Sequence, residues 1–441
     1  MIRARAAVSC GPYIRVPLFA SVANLWDLVD AHEAWRRRDA INLQPSENVM
    51  SDQARSLLAS DFANRYSLPG FTSPWGDVGN AYRGTRYMDD VEALADGLAR
   101  ELFGAAHATH KPLSGHLAGF LLLHASCRRG DRVLIVAPTH GGYEGYTRGY
   151  LPEYLGLDVG YLPFDETSWN LDVKAASDLI LEAKPRLVLV GASHILFPYD
   201  LRALRTACDA VGALLGYDAS HVLGLVAGGV FQRSMLQEVD VMSSSTHKSF
   251  PGPQGGLFLA NRSDAFRRAL ERVTWHIEDN AHWHRIAATA QVHMEMRAFG
   301  AAYARQVVAN AQALARHLGG MGFPVKFGSM GYTESHQVLY DPRAMKDRWD
   351  LTPHAFADRL ERNNLIVDAV GRLGTAEATR MGAREAEMQR LADLLVRAAQ
   401  GEDVRREVAE IRSGLRLSFV FDGPGSPKDD QAGRRIDSEE A

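Results

Sequence analysis

Lys248 lies in the segment Ser-Ser-Ser-Thr-His-Lys-Ser-Phe-Pro-Gly-Pro-Gln-Gly-Gly (243–256), where an apolar run turns polar and enters a glycine-rich turn. A lysine amine adds to a carbonyl once its ammonium is desolvated or its pKa is depressed. Thr246 and His247 offer polar contacts beside it. Upstream, other reactive residue types stand at comparable places: Leu113-Ser114-Gly115-His116, Thr139-His140-Gly-Gly-Tyr143, Ala192-Ser193-His194 and Asp218-Ala-Ser-His221. An aspartate facing a pyridine nitrogen keeps it protonated and makes the ring an electron sink. A histidine can lie over the ring face, and a Ser-Gly-His helix start offers N–H groups and a positive dipole end to a phosphate. Together these are the needs of pyridoxal 5'-phosphate, with Lys248 as its Schiff-base lysine, Asp218 at the ring nitrogen, His140 on the ring, and Ser114, Gly115 and His116 at the phosphate. Each residue alone has a plainer reading: a solvated lysine before a loop, a helix-capping Asp or Ser, a core histidine.

The elements that must position these residues follow from the hydrophobic pattern. Apolar runs at 132–137, 157–162, 186–191, 213–217, 239–243 and 256–260 alternate with helical segments such as 172–183 and 201–211. That alternation predicts an α/β fold with a mostly parallel sheet flanked by helices. Ligands of such sheets bind beyond the carboxyl ends of the strands, so the residues following each run converge on one site. Met88–Phe103 reads as an amphipathic helix ended by Gly104, and 64–87 as a Gly/Pro/aromatic stretch too long for a plain connection.

The 441 residues carry a net charge of −4 and are 46% hydrophobic, which suits a large core and gives no basic field for nucleic acid. No stretch approaches a membrane span. Cys10, Cys127 and Cys208 form neither a disulfide framework nor a zinc spacing, so a cytoplasmic protein is expected. The start of the chain is basic then apolar, but Pro12 and Arg15 interrupt it before a signal-peptide core. The expected organisation is an N-terminal arm with helices (1–60), a large cofactor-binding domain (61–290), a small C-terminal α+β domain (291–420) and a polar, disordered tail (421–441). Phe299–Leu318 reads as a long helix, with strands at Val325–Phe327 and Gln337–Tyr340.

Over roughly residues 40–400 the chain resembles the serine hydroxymethyltransferase family of fold-type I pyridoxal phosphate enzymes. The matching segments are Pro-Ser-Glu-Asn (45–48), Asn-Arg-Tyr (64–66), Tyr-Met-Asp-Asp-Val-Glu (87–92), Ala-Arg-Glu-Leu-Phe-Gly-Ala (99–105), Ser-Gly-His (114–116), His-Gly-Gly (140–142), Gly-Ala-Ser (191–193), Asp-Ala-Ser-His-Val-Leu-Gly-Leu-Val-Ala-Gly-Gly (218–229) and Thr-His-Lys (246–248). The resemblance implies His221 with Ser193 near the phenolic oxygen of the cofactor. It also implies Arg372 as the clamp for an amino acid carboxylate, with Ser46 as its helper. Tyr66 would reach across a homodimer whose active site is shared between subunits, and Tyr82 would be a second active-site tyrosine.

Departures from the family pattern bear on the reaction. Two positions after Tyr66 the family has a glutamate that assists proton transfer and folate-linked chemistry; here it is Leu68, which is neither acid nor base. The stretch Val273–Arg285 is rewritten, and the run Asn364–Gly371 ahead of Arg372 is short where the family has a longer loop with folate contacts. His116 stands at a serine position and Gln254 at an arginine. These features, with Pro251–Gln254 and Gly331–Val338, are similar to folate-independent relatives, above all the threonine transaldolases. The expectation is a retro-aldol and aldol enzyme acting on a β-hydroxy amino acid and an aldehyde, with Tyr66, His116 or a residue of 273–285 moving protons. The alternatives are a tetrahydrofolate-dependent serine hydroxymethyltransferase, an aminotransferase, and a binding protein that has lost turnover. His276, His282 and His284 have no carboxylate or cysteine partner at a ligand spacing, so no metal is expected.

Overall fold

The computed structural model describes residues 22–69, 72–233, 235–272 and 277–421. Cys10, Trp275, His276 and almost all of the expected tail lie outside the described residues.

Seven strands form the central sheet: β1 (His107–Thr109), β2 (Arg132–Ile135), β3 (Asp158–Tyr161), β4 (Leu187–Val190), β5 (Leu214–Asp218), β6 (Val241–Ser245) and β7 (Gly256–Ala260). Their spatial order is β1-β7-β6-β5-β4-β2-β3. The pairs from β6 through β3 are parallel, while β7 runs antiparallel to both β6 and β1. Helices cover both faces of a parallel sheet, which is why β4 reads Leu-Val-Leu-Val with all four residues buried. Lys248 falls in the connection from β6 to β7, which is closed by Thr246 N–H to Gly255 O (3.2 Å) and Gly252 N–H to Thr246 O (2.8 Å). Cys127 and Cys208 are free and buried, and burial pushes both thiols up to about 12.

Three helices matter to the site. The first, α1 (Arg86–Phe103), buries Met88, Ala95, Leu98 and Ala99 and stops at Gly104, whose φ of 66° is left-handed. Next, α2 (Gly115–Ser126) packs on β6 and β7; Ser114 caps it by accepting the Leu117 N–H at 3.1 Å. Finally, α3 spans 38 residues, Trp283–Gly320, and begins well before the expected Phe299. Its residues 285–290 are buried one after another, so no single apolar face marks the helix in the sequence.

Two cores share α3. Val292, Met296, Tyr303 and Val307 pack into the sheet-centred core. Ala311, Leu314, Ala315 and Leu318 pack into the small lobe with Phe323, Val338, Leu360, Leu373 and Leu391. The change of core therefore falls between Val307 and Ala311, beyond the expected boundary at 290, and a continuous helix crosses it. The expected N-terminal unit also divides: Ile41 and Leu43 join the small-lobe core, where Ile41–Asn42 pairs in parallel with Leu365–Ile366. In the small lobe, β8 (Gln337–Leu339) and β9 (Arg372–Gly374) pair antiparallel, with Leu339 opposite Arg372. Val325–Phe327 is not a strand. Val325 makes only an isolated bridge to Tyr340, and Phe327 takes a left-handed φ of 63° that ends extension.

Candidate active site

The carboxyl ends of β4, β5 and β6 and the start of α2 enclose a cavity of about 230 Å³ with Lys248 in its wall. Lys248 Nζ has no hydrogen bond or ion pair with the described residues. Burial lowers its ammonium to about 8, opposed by the Asp218 carboxylate and assisted by the charge of Arg372. The backbone beneath it is pinned: Asn48 Nδ2 donates to Lys248 O at 2.7 Å, and Tyr303 Oη donates to Ser249 O at 2.8 Å. Asn48 belongs to the recognised Pro-Ser-Glu-Asn segment, yet its partner lies 200 residues away and was not legible from spacing.

Asp218 ends β5 and faces the cavity. Its Oδ2 accepts from Tyr146 Oη at 2.6 Å and its Oδ1 from the Ser220 N–H at 2.9 Å. Gly191, with φ of 118°, lets the end of β4 pass this point; a Cβ there would sit 2.3 Å from Asp218 O. Gly115 is equally constrained, since a Cβ would lie 2.7 Å from Ser245 Cβ, so α2 starts directly against β6. The turn before it is held from the rewritten stretch: Glu278 Oε1 accepts the Leu113 N–H at 2.6 Å, and Arg285 Nη2 donates to the carbonyls of His110 (2.6 Å) and Lys111 (3.3 Å). Burial raises the Glu278 carboxyl to about 7.

Ser114, Gly115, His116, Ser193, His221 and His247 all line the cavity with Lys248 and Asp218. His116 Nδ1 lies 2.8 Å from Tyr143 Oη, and Tyr143, not singled out in the sequence, lines the cavity too. His247 Nδ1 is buried without a partner, and burial lowers its pKa to about 4. Two residues expected at the cofactor are not among those that line the cavity. Thr246 is buried and spends its hydroxyl on Pro253 O at 2.7 Å. His140 does not line the cavity; its ring stacks on Phe164 with centroids 4.6 Å apart, and its buried Nδ1 has no partner.

Arg372 is buried on β9 and does not itself line the cavity, but it is tied to Ser193, which does. Its Nη2 donates to Ser46 Oγ at 3.1 Å, Nη1 to the Ser193 carbonyl, and Nε to Asp368 in the short turn before it. Three of the five guanidinium N–H groups are thus engaged, and one remains on each terminal nitrogen. That pair suits a carboxylate end-on. Tyr66 and Tyr82 are exposed, with their rings 5.3 Å apart, and neither lines the cavity. Leu68 lines a different cavity beside Pro69, Glu92 and Lys111. His282 and His284 stack on each other at 6.1 Å, and no cluster of metal-ligating side chains occurs among the described residues.

Comparison with known proteins adds three findings. A family model described as serine hydroxymethyltransferase matches residues 20–395. A serine hydroxymethyltransferase of Methanothermobacter thermautotrophicus is 36% identical over 414 residues, covering 90% of this chain and 94% of its own; that of Pyrobaculum arsenaticum is 38% identical over 413 residues, with the same coverage. Among solved structures, an L-threonine transaldolase from Pseudomonas fluorescens in its internal aldimine state superposes with a TM-score of 0.81 at 25% identity, over 91% of this chain and 94% of that one.

Proposed function

The chain belongs to the serine hydroxymethyltransferase family, and from that premise we propose that it is a pyridoxal phosphate enzyme making and breaking the Cα–Cβ bond of a β-hydroxy amino acid without folate. The cavity fits the cofactor on its own features. It has an unengaged, desolvated lysine, a carboxylate on a strand end, and a helix start whose glycine leaves no room for a side chain. When bound, pyridoxal phosphate supplies an electron sink for the pair released at Cα.

The protein's part is positioning and proton control. Lys248 supplies the amine that holds the cofactor. Asp218, fixed by Tyr146 and Ser220, holds a proton at the ring nitrogen, while α2 offers N–H groups to the phosphate. Arg372 and Ser46 take the substrate carboxylate and so decide which bond at Cα stands perpendicular to the ring. Of the groups proposed to move protons in place of the family's glutamate, His116 lines the cavity, joined to Tyr143. Tyr66 and Tyr82, exposed on an irregular segment, would serve the cavity of a second copy in a homodimer.

The observation that carries the folate-independent reading is Leu68: two positions after Tyr66, where the family motif has its acid–base glutamate, this chain has an apolar residue, and it lines a separate cavity. Purified holoenzyme given L-threonine and a panel of aldehydes should release acetaldehyde and form new β-hydroxy amino acids. Serine cleavage that needs tetrahydrofolate, with no acetaldehyde from threonine, would overturn this reading. The names of the relatives at 36–38% identity favour that second activity, so both assays belong in one experiment.

Two further results are expected. Because the neutral amine is the nucleophile, uptake of pyridoxal phosphate by cofactor-free protein should slow about tenfold per pH unit below about 8 and level off above it. A loading rate that kept rising about tenfold per unit from about pH 8 to about pH 10 would contradict the depressed Lys248. Arg372→Lys should raise KM for the amino acid about 10- to 100-fold, since an ammonium cannot replace the planar fork, while the visible cofactor band stays intact. An unchanged KM would remove Arg372 from the clamp.

A further inference from the structure

We propose that Gln337, on a strand of the small lobe, fixes the His221 imidazole as its Nε2–H tautomer and so presents a permanent N–H donor to the Lys248 cavity. The orientation of the Gln337 amide follows from two partners of fixed character. The Ile195 backbone N–H can only donate, and it lies 3.1 Å from Oε1. The Ser193 carbonyl can only accept, and it lies 3.0 Å from Nε2. The same Nε2 is 3.0 Å from His221 Nδ1. An amide NH₂ facing a ring nitrogen requires a lone pair there, so Nδ1 carries no proton. Burial, and after it the charge of Lys248, hold His221 well below its usual range of protonation, so the ring is neutral. A neutral imidazole with a bare Nδ1 bears its proton on Nε2. His221 lines the cavity, and no described residue engages its Nε2.

Gln337 is therefore a positioning residue, acting through His221. It stands on β8, paired with the strand that carries Arg372, and both side chains donate to the same Ser193 carbonyl. Docking of the small lobe thus delivers the carboxylate clamp and the tautomer lock together. On the cofactor reading above, on which this step rests, the His221 N–H meets the phenolic oxygen and stabilises its anion.

Nitrogen-15 NMR of the histidine side chains in cofactor-free protein tests the lock directly, with the His221 signals identified by their loss in His221→Asn. Wild type should show a bare Nδ1 and a protonated Nε2, and Gln337→Leu should show both nitrogens averaged by tautomer exchange. A protonated Nδ1 in wild type, or the same signals in Gln337→Leu, would overturn the proposal; the wild-type spectrum decides even where the variant does not fold. In loaded protein, Gln337→Leu should move the pH midpoint of the visible band upward by about one unit, a tenfold change, because an anion that loses a donor holds a proton more tightly. An unmoved midpoint, with the tautomer as expected, would overturn the donation to the phenolic oxygen. A wild type with no visible band would overturn the cofactor reading and leave the tautomer assignment to the NMR.

Discussion

Lys248→Ala should abolish the visible band that wild-type protein acquires with pyridoxal phosphate and should lower turnover roughly 10³-fold or more, since it removes the covalent attachment of the cofactor. The fold should survive. The backbone of this turn is held by Asn48 and Tyr303 and by its own closing hydrogen bonds, none of which uses the lysine side chain. Loss of an unengaged, partly buried ammonium removes a desolvation cost and leaves no partner unpaired. The variant should still take up the cofactor through the phosphate cradle, with the absorbance of the free aldehyde. Lys111, the lysine at the foot of the cradle, is tied to Glu92 at 2.9 Å and does not line the cavity, so it offers no substitute amine. A Lys248→Ala protein that keeps the wild-type band and activity would place the chemistry elsewhere.

Much of this arrangement was legible because it is local. The cores of β2, β4, β5 and β7 are continuous apolar runs, as strands covered on both faces must be, and the polar residues closing β4, β5 and β6 mark the carboxyl edge where ligands bind. By contrast, β1 has three residues at the sheet edge, too few to show a period. The first turns of α3, with 285–290 buried in succession, resemble neither an amphipathic helix nor a loop. The cavity residues read from strand ends, Asp218, Ser193, His221 and Lys248, come together because one topology carries them all. Residues that act on them from other elements left no sign in spacing: Tyr146 on Asp218, Gln337 on His221, and Asp368 on Arg372. Each is a hydrogen bond whose meaning exists only once the chain has folded. Thr246 shows the converse, a residue beside the lysine whose hydroxyl is consumed by the turn itself.

Glu295→Ala should cost about 3–5 kcal/mol of folding free energy, measured by denaturant unfolding of the cofactor-loaded protein. Glu295, in the sheet-core half of α3, is fully buried and pairs with Arg380, also fully buried, on the short helix that follows β9. Its other oxygen accepts from Ser51 Oγ at 2.6 Å and Gln291 Nε2 at 3.1 Å. The alanine leaves the Arg380 guanidinium charged and desolvated, with the Phe419 carbonyl its remaining hydrogen-bond partner among the described residues, which is the source of the large penalty. Replacing both partners with leucine should cost far less than the single change, because no buried charge is then left unpaired. A single-variant cost below about 1 kcal/mol, or a double variant no better than the single, would show that the pair is not a desolvated unit. The functional consequence follows from connectivity. Arg380 anchors the segment that starts with Arg372, so the single variant at sub-denaturing temperature should also raise KM for the amino acid, with the Lys248 band unchanged. Arg372, the proposed carboxylate clamp, thus lies on a segment tied to the body of the protein by an ion pair, and the small lobe is docked by buried charge as well as by apolar packing.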